Sequence, residues 1–106
     1  MKDKINILFV CSRNKWRSKT AEDLFKDHSK YNVKSAGTSK NAKQKISIQL
    51  INWSDEIYVM EKKHKDIMEF KFGKINKTIT ILNIPDEYKY MDEELVDELK
   101  TVIITE

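Results

Sequence analysis

Ile5-Asn6-Ile7-Leu8-Phe9-Val10-Cys11-Ser12-Arg13-Asn14-Lys15-Trp16-Arg17-Ser18 changes character once, at Cys11. Before it, β-branched and aromatic residues run almost without a break, which is how a strand buried on both faces reads. After it come polar and cationic residues. Beyond these, Ala21, Leu24, Phe25 and His28 recur at helical spacing, predicting an amphipathic helix of about ten residues. A thiol therefore stands where a buried strand gives way, through a polar loop, to a helix.

The same alternation continues outward. Asn32–Ser35 predicts a short strand ending at Ala36-Gly37, where glycine permits a tight turn. Ala42, Ile46, Leu50 and Trp53 mark a second helix, and Glu56–Met60 a third strand. Lys62–Phe72 predicts a charged helix with Ile67, Met68 and Phe70 turned inward. Thr78–Leu82 is a fourth strand by β-propensity, and Ile84-Pro85-Asp86 is a break. Met91, Leu95, Leu99 and Val102 space a last helix, whose acidic start (Asp92, Glu93, Glu94) suits the positive end of the helix dipole. Asp55 reads as a residue that fixes a turn before its strand. Alternating strands and helices imply an α/β fold: a small doubly wound, four-stranded parallel sheet with helices on both faces, of flavodoxin-like type. Ligands of such sheets sit at the carboxyl ends of the strands. The segments expected there are Cys11–Ser18, Ser35–Thr38, Glu61–Lys63 and Asn83–Tyr90.

Composition bounds the answer. With 106 residues there is room for one domain, 1–106, and one core; 40% of residues are hydrophobic and 35% charged, with 2 glycines and 1 proline, which excludes fibrous and disordered classes. The longest apolar run, Ile7–Cys11, falls far short of the ~20 residues of a membrane span. A single cysteine and no basic-then-apolar leader point to the cytoplasm. The net charge of +3 comes from interspersed charges, not from the basic stripe of a nucleic-acid binder, so neither nucleic acid nor membrane is an expected partner. Of 20 basic residues only Arg13 and Arg17 are arginines, and both lie beside the one cysteine.

That placement is chemical. The backbone N–H groups of Ser12, Arg13, Asn14, Lys15 and Trp16 can curl into an anion nest, to which the helix N-terminus adds partial positive charge. Arg17 supplies a planar fork for two oxygens of a phosphate or sulfate dianion. The same field favours the thiolate form of Cys11, and Ser18 can donate a hydrogen bond to the sulfur. The expected product of attack is a phosphocysteine. Taken alone, a lone cysteine at a strand end also reads as a small buried hydrophobe.

Cys11-x5-Arg17-Ser18 resembles the phosphate-binding signature of the low-molecular-weight protein tyrosine phosphatases, closest to their short bacterial branch of predicted protein tyrosine phosphatases. Ile7–Val10 resembles the family's first strand and Asn14 its loop-organising asparagine. Ala21-Glu22, Ser35-Ala36-Gly37-Thr38 and Asp55–Met60 resemble further segments, so the likeness runs over nearly the whole chain. It implies a phosphotyrosine phosphatase I-like fold. The family usually has a glycine where Arg13 stands, a second cysteine where Trp16 stands and a proline where Lys19 stands. A residue other than glycine at position 13 is costly if the backbone there takes a positive φ. Without the second cysteine, an oxidised Cys11 lacks an internal disulfide partner.

The resemblance also implies a general acid, in the family an aspartate just before a proline near the C-terminus. Here the nearest equivalent is Ile84-Pro85-Asp86-Glu87-Tyr88; Asp86 is the expected acid and Glu87 the alternative, against a plain turn reading of Pro85-Asp86. Trp16, Tyr88 and Tyr90 are expected to wall the pocket mouth, or else to be ordinary half-buried surface aromatics. His28 and His64 are too isolated to suggest a metal site, and both read as helix-face or surface residues. The short basic runs Asn41–Lys45 and Lys62–Lys65 read as solvated faces, the second also able to attract an acidic peptide. The expected activity is metal-independent and cofactor-free hydrolysis of phosphotyrosine or a related phosphate monoester, on a phosphorylated protein or a small ester. The alternatives are a non-catalytic phosphate- or phosphopeptide-binding module and a thiol-dependent arsenate reductase.

Overall fold

The computed structural model describes residues 4–103. The elements run β1 (Ile5–Cys11), α1 (Arg17–Phe25), β2 (Tyr31–Gly37), α2 (Ile48–Trp53), β3 (Glu56–Val59), α3 (Lys62–Phe72), β4 (Thr78–Ile81) and α4 (Glu93–Ile103). The four strands form one parallel sheet in the order β2-β1-β3-β4. The expected doubly wound α/β architecture is present.

β1 lies inside the sheet, so both its faces are covered. Ile7, Phe9 and Cys11 point to one side, where Ala21 and Phe25 of α1 and Leu95 and Leu99 of α4 complete a core with Met60 and Ile84. Leu8 and Val10 point to the other, against Ile51 of α2, Met68 of α3 and the β3 residues Ile57 and Val59. Burying each such side chain is worth about 1.5–3 kcal/mol. Asp55 ties the strand starts together: its carboxylate accepts the Asn6 N–H at 2.8 Å and its own N–H donates to the Asn6 carbonyl at 2.7 Å. Among the described residues no helix is long and apolar enough to cross a membrane.

Four expectations need correction. The second helix is confined to Ile48–Trp53, started by the Ser47 hydroxyl accepting the Leu50 N–H at 3.2 Å. Residues 42–47 instead run beside β2, with Gly37 donating to the Gln44 carbonyl at 2.8 Å and accepting from Ile46 N–H at 2.9 Å. Gly37 itself lies within a strand and makes no turn. In α3 the inward face is His64 and Met68, while Ile67 is 39% and Phe70 92% exposed; Phe70 lies about 200° around the helix from Met68. The last helix starts at Glu93, since Met91 takes a φ of +59° and gives its N–H to the Thr20 hydroxyl.

Candidate functional site

The loop from Cys11 to Arg17 is shaped by its neighbours across the carboxyl edge of the sheet. The carbonyls of Cys11, Ser12 and Arg13 accept N–H groups from Thr38 (2.9 Å), Ser39 (2.8 Å) and Lys43 (3.1 Å). Peptide planarity then turns the Ser12 and Arg13 amides to the opposite side, where the cavity lies. Gly37 permits this approach: a Cβ there would stand 2.5 Å from the Ser12 carbonyl oxygen and 2.8 Å from Asn14 N. The positive φ of the loop falls on Asn14, at +55°. Arg13 therefore carries no such strain, and asparagine tolerates the left-handed region better than most residues.

Cys11 Sγ is buried and lies 3.0 Å from Ser18 Oγ, which in turn donates to Asn14 Oδ1 at 2.9 Å. One hydroxyl proton cannot serve both neighbours. With a thiol, the S–H donates to Ser18 and the chain closes. With a thiolate, Ser18 turns its proton to the sulfur and the Asn14 amide presents its nitrogen instead.

Arg17 is 2% exposed. Its Nη1 donates to Glu61 Oε1 at 2.6 Å and to the Ile84 carbonyl at 2.8 Å. Both protons of that nitrogen are thereby used. Nη1 is the nitrogen cis to Cδ, so the Nε–Nη2 edge, whose two N–H bonds are parallel, is left for an oxyanion. Asp86 Oδ1 stands 3.7 Å from Nε. Glu61 also caps α3, accepting the His64 N–H, while its own N–H donates to His64 Nδ1 at 3.1 Å. Burial alone would raise the Glu61 pKa, but the bond and charge of Arg17, with help from Lys63 and His64, outweigh it and hold the carboxyl below its usual range.

Because His64 Nδ1 accepts, Nε2 carries the proton and donates to Ser12 Oγ at 2.9 Å. The ring is fully buried. Burial, then the charge of Arg17, lower its pKa to about 4 against the opposing pull of Glu61, so it is neutral.

Above the sulfur lies a cavity of about 240 Å³ lined by Cys11, Ser12, Arg13, Lys15, Trp16, Arg17 and Asp86. Asn14 and Ser18 lie beneath the loop and do not line it. Trp16 is 38% exposed at the lip, with Lys15 Nζ 5.0 Å above its ring. Tyr88 does not line the cavity: it packs against the core cluster of Ile7, Phe9 and Leu95. Tyr90 turns away too, bonding Asp23 of α1 at 2.5 Å. Glu87 is exposed and outside the lining, so Asp86 is the carboxylate that reaches the cavity. Glu61 and His64 carry no expected role in the sequence; His64 lies on the buried, inward face of α3. Among the described residues no group of three metal-ligating side chains converges.

The family model described as low molecular weight phosphotyrosine protein phosphatase matches residues 6–52. No curated protein sequence matches the chain. Among solved structures, the chain is similar to YwlE arginine phosphatase from Geobacillus stearothermophilus, with 23% identity over 94% of this chain and 88% of that one and a TM-score of 0.73. It is similar to SP-PTP, a low molecular weight protein tyrosine phosphatase from Streptococcus pyogenes, with 17% identity, coverage of 92% and 85% and a TM-score of 0.70. A low molecular weight protein tyrosine phosphatase from Bacillus subtilis gives 22%, 92%, 94% and 0.72 for the same measures. The chain thus carries the pattern of the low molecular weight phosphotyrosine protein phosphatases over residues 6–52 and shares the fold of these solved structures.

Proposed function

We propose that the protein is a cysteine-dependent phosphatase that hydrolyses phosphotyrosine or a related phosphate monoester through a phosphocysteine. One observation carries this reading: a thiol hydrogen-bonded to Ser18 lies in the same cavity as a fork-bearing arginine and a carboxylate. The thiolate of Cys11 attacks phosphorus in line while the bond to the leaving oxygen breaks. Asp86, protonated, gives its proton to that oxygen. The Ser12 and Arg13 amides and the Nε–Nη2 edge of Arg17 stabilise the equatorial oxygens. Asp86, now a carboxylate, takes a proton from water as the water attacks the thiophosphate; the P–S bond breaks, releasing inorganic phosphate and the Cys11 thiolate. Ser18 stabilises sulfur both as nucleophile and as leaving group.

The test is hydrolysis of p-nitrophenyl phosphate with a chelator present. Turnover is expected in the native chain and none in Cys11→Ser. Asp86→Asn should lose about 10²–10⁴-fold in kcat. Undiminished turnover by Cys11→Ser would overturn the mechanism.

A further inference from the structure

Beside the phosphate cavity lies a second, open cleft lined by Glu61, Lys62, Lys63, Asn83 and Pro85. The two share a wall. Glu61 on the cleft side bonds Arg17 on the cavity side, and Pro85 of the cleft precedes Asp86 of the cavity. We propose that this cleft receives an acidic side chain adjacent to the phosphorylated residue, so that the substrates are phosphotyrosine segments flanked by aspartate or glutamate. The inference rests on the phosphatase reading of the neighbouring cavity.

The charge around the two depressions is lopsided. Arg13, Lys15 and Arg17 line the first and Lys62 and Lys63 the second, against only Glu61 and Asp86. That surplus of three positive charges equals the net charge of the whole chain. Glu61 is already committed, since its carboxylate holds Arg17 at 2.6 Å and caps α3. Lys63 Nζ stands 3.7 Å from it, beyond hydrogen-bond length, and is 56% exposed. Among the described residues Lys62 pairs only with Asp66, one helical turn on, in an exposed contact of 3.0 Å. Such pairs are weak and are readily exchanged for a better-placed carboxylate. Neither Arg13 nor Lys15 forms an ion pair among the described residues. A dianionic phosphate in the first cavity satisfies the cations around it, and Lys62 and Lys63 then remain for a second anion. Asn83, held at a φ of +58° after β4, adds an amide to the cleft wall. A phosphate ester with no second negative charge has nothing to offer these groups.

The experiment compares kcat/KM for three phosphotyrosine peptides, flanked by Asp-Glu, Ser-Ala or Lys-Lys, with p-nitrophenyl phosphate as reference. At low salt the acidic peptide should be favoured over the neutral one by about five- to tenfold, and the preference should fade toward about 0.5 M salt. The double variant Lys62→Ser/Lys63→Ser should lose the preference and keep p-nitrophenyl phosphate turnover within about twofold. Lys71→Ser, at the far end of the same helix, should keep both. Equal rates for acidic and neutral peptides, or a preference that survives the double variant, would overturn the proposal. Peptide binding to Cys11→Ser, followed by tryptophan fluorescence, reads the preference without catalysis. Acid-selective binding there, with no turnover by the native chain, would overturn the phosphatase reading and support the acidic cleft.

Discussion

His64 makes the fold sensitive to mild acid. It is fully buried between the α3 N-terminus and the Cys11–Arg17 loop, accepting at Nδ1 and donating at Nε2. Its pKa falls from 6.5 to about 4 through burial and the charge of Arg17. Between those values the unfolded chain binds a proton that the folded chain refuses. Stability is therefore complete above 6.5 and declines as the pH falls through the window toward about 4. Moving from about pH 8 to about pH 5 should remove about 2 kcal/mol through this residue alone. A small domain has only about 5–15 kcal/mol in all. The assay is a series of urea titrations between about pH 5 and pH 8 on the native chain and on His64→Gln, whose amide still donates to Ser12 but does not titrate. The variant starts lower at neutral pH, and the gap should narrow by about 2 kcal/mol in acid. Equal losses in the two proteins, or a ring titrating near 6.5 by NMR, would refute a buried neutral His64.

Gly37→Ala places a Cβ against backbone atoms of Ser12 and Asn14 that cannot rotate away. It should cost about 3 kcal/mol, the upper end of overpacking, and cut aryl phosphate turnover well beyond the fraction unfolded. Glu61→Gln keeps a hydrogen-bond acceptor for Arg17 but not the charge, and should cost about 1–2 kcal/mol at neutral pH by urea titration, since Glu61 is partly exposed. Because Glu61 is depressed below 4.5, its contribution is present above that value and is lost as the pH falls through its folded pKa; the difference from the variant should vanish there. Leu99→Ala, emptying a fully buried site, should cost about 2–5 kcal/mol. Phe70→Ser should stay within about 0.5 kcal/mol, which thermal melts can check.

What could be read from sequence was local. β1, the polar loop and α1 announce themselves within twenty residues, because an unbroken apolar run, a cluster of scarce arginines and a 3.6-residue period are all short-range signals. Asp86 stands out in the sequence only through likeness to a family, and the geometry that brings it near Arg17 depends on the Ile84 carbonyl, 67 positions from that arginine. Ala42 and Ile46 have helical spacing, yet pairing with Gly37 holds residues 42–47 extended, which no local pattern announces. Gly37 itself matters for the side chain it lacks, a property of its neighbours in space. Glu61 and His64 stand in a run of charge that looks like a solvated face. Their partners, Arg17 and Ser12, are 44 and 52 positions away, and only the parallel order β2-β1-β3-β4 brings these loops to one edge.

A carboxylate bonded to the arginine of an oxyanion site looks self-defeating, since it cancels the charge the substrate needs. Burial resolves the conflict. Arg17 is 2% exposed, and an unpaired guanidinium at that depth would cost several kcal/mol. Glu61 removes that cost and occupies Nη1, the nitrogen least suited to a bidentate grip. Long-range attraction of an anion would then fall to Arg13 and Lys15, which form no ion pair among the described residues, and to the loop amides. In the proposed function Arg17 then aligns two oxygens along its Nε–Nη2 edge, a task that the tetrahedral ammonium of lysine cannot perform. This division accounts for an arginine at that position in a chain whose basic residues are otherwise lysine, apart from Arg13. It also leaves Asp86 in an ion pair of 3.7 Å with Nε, beyond hydrogen-bond length, with its side chain 57% exposed at the cavity.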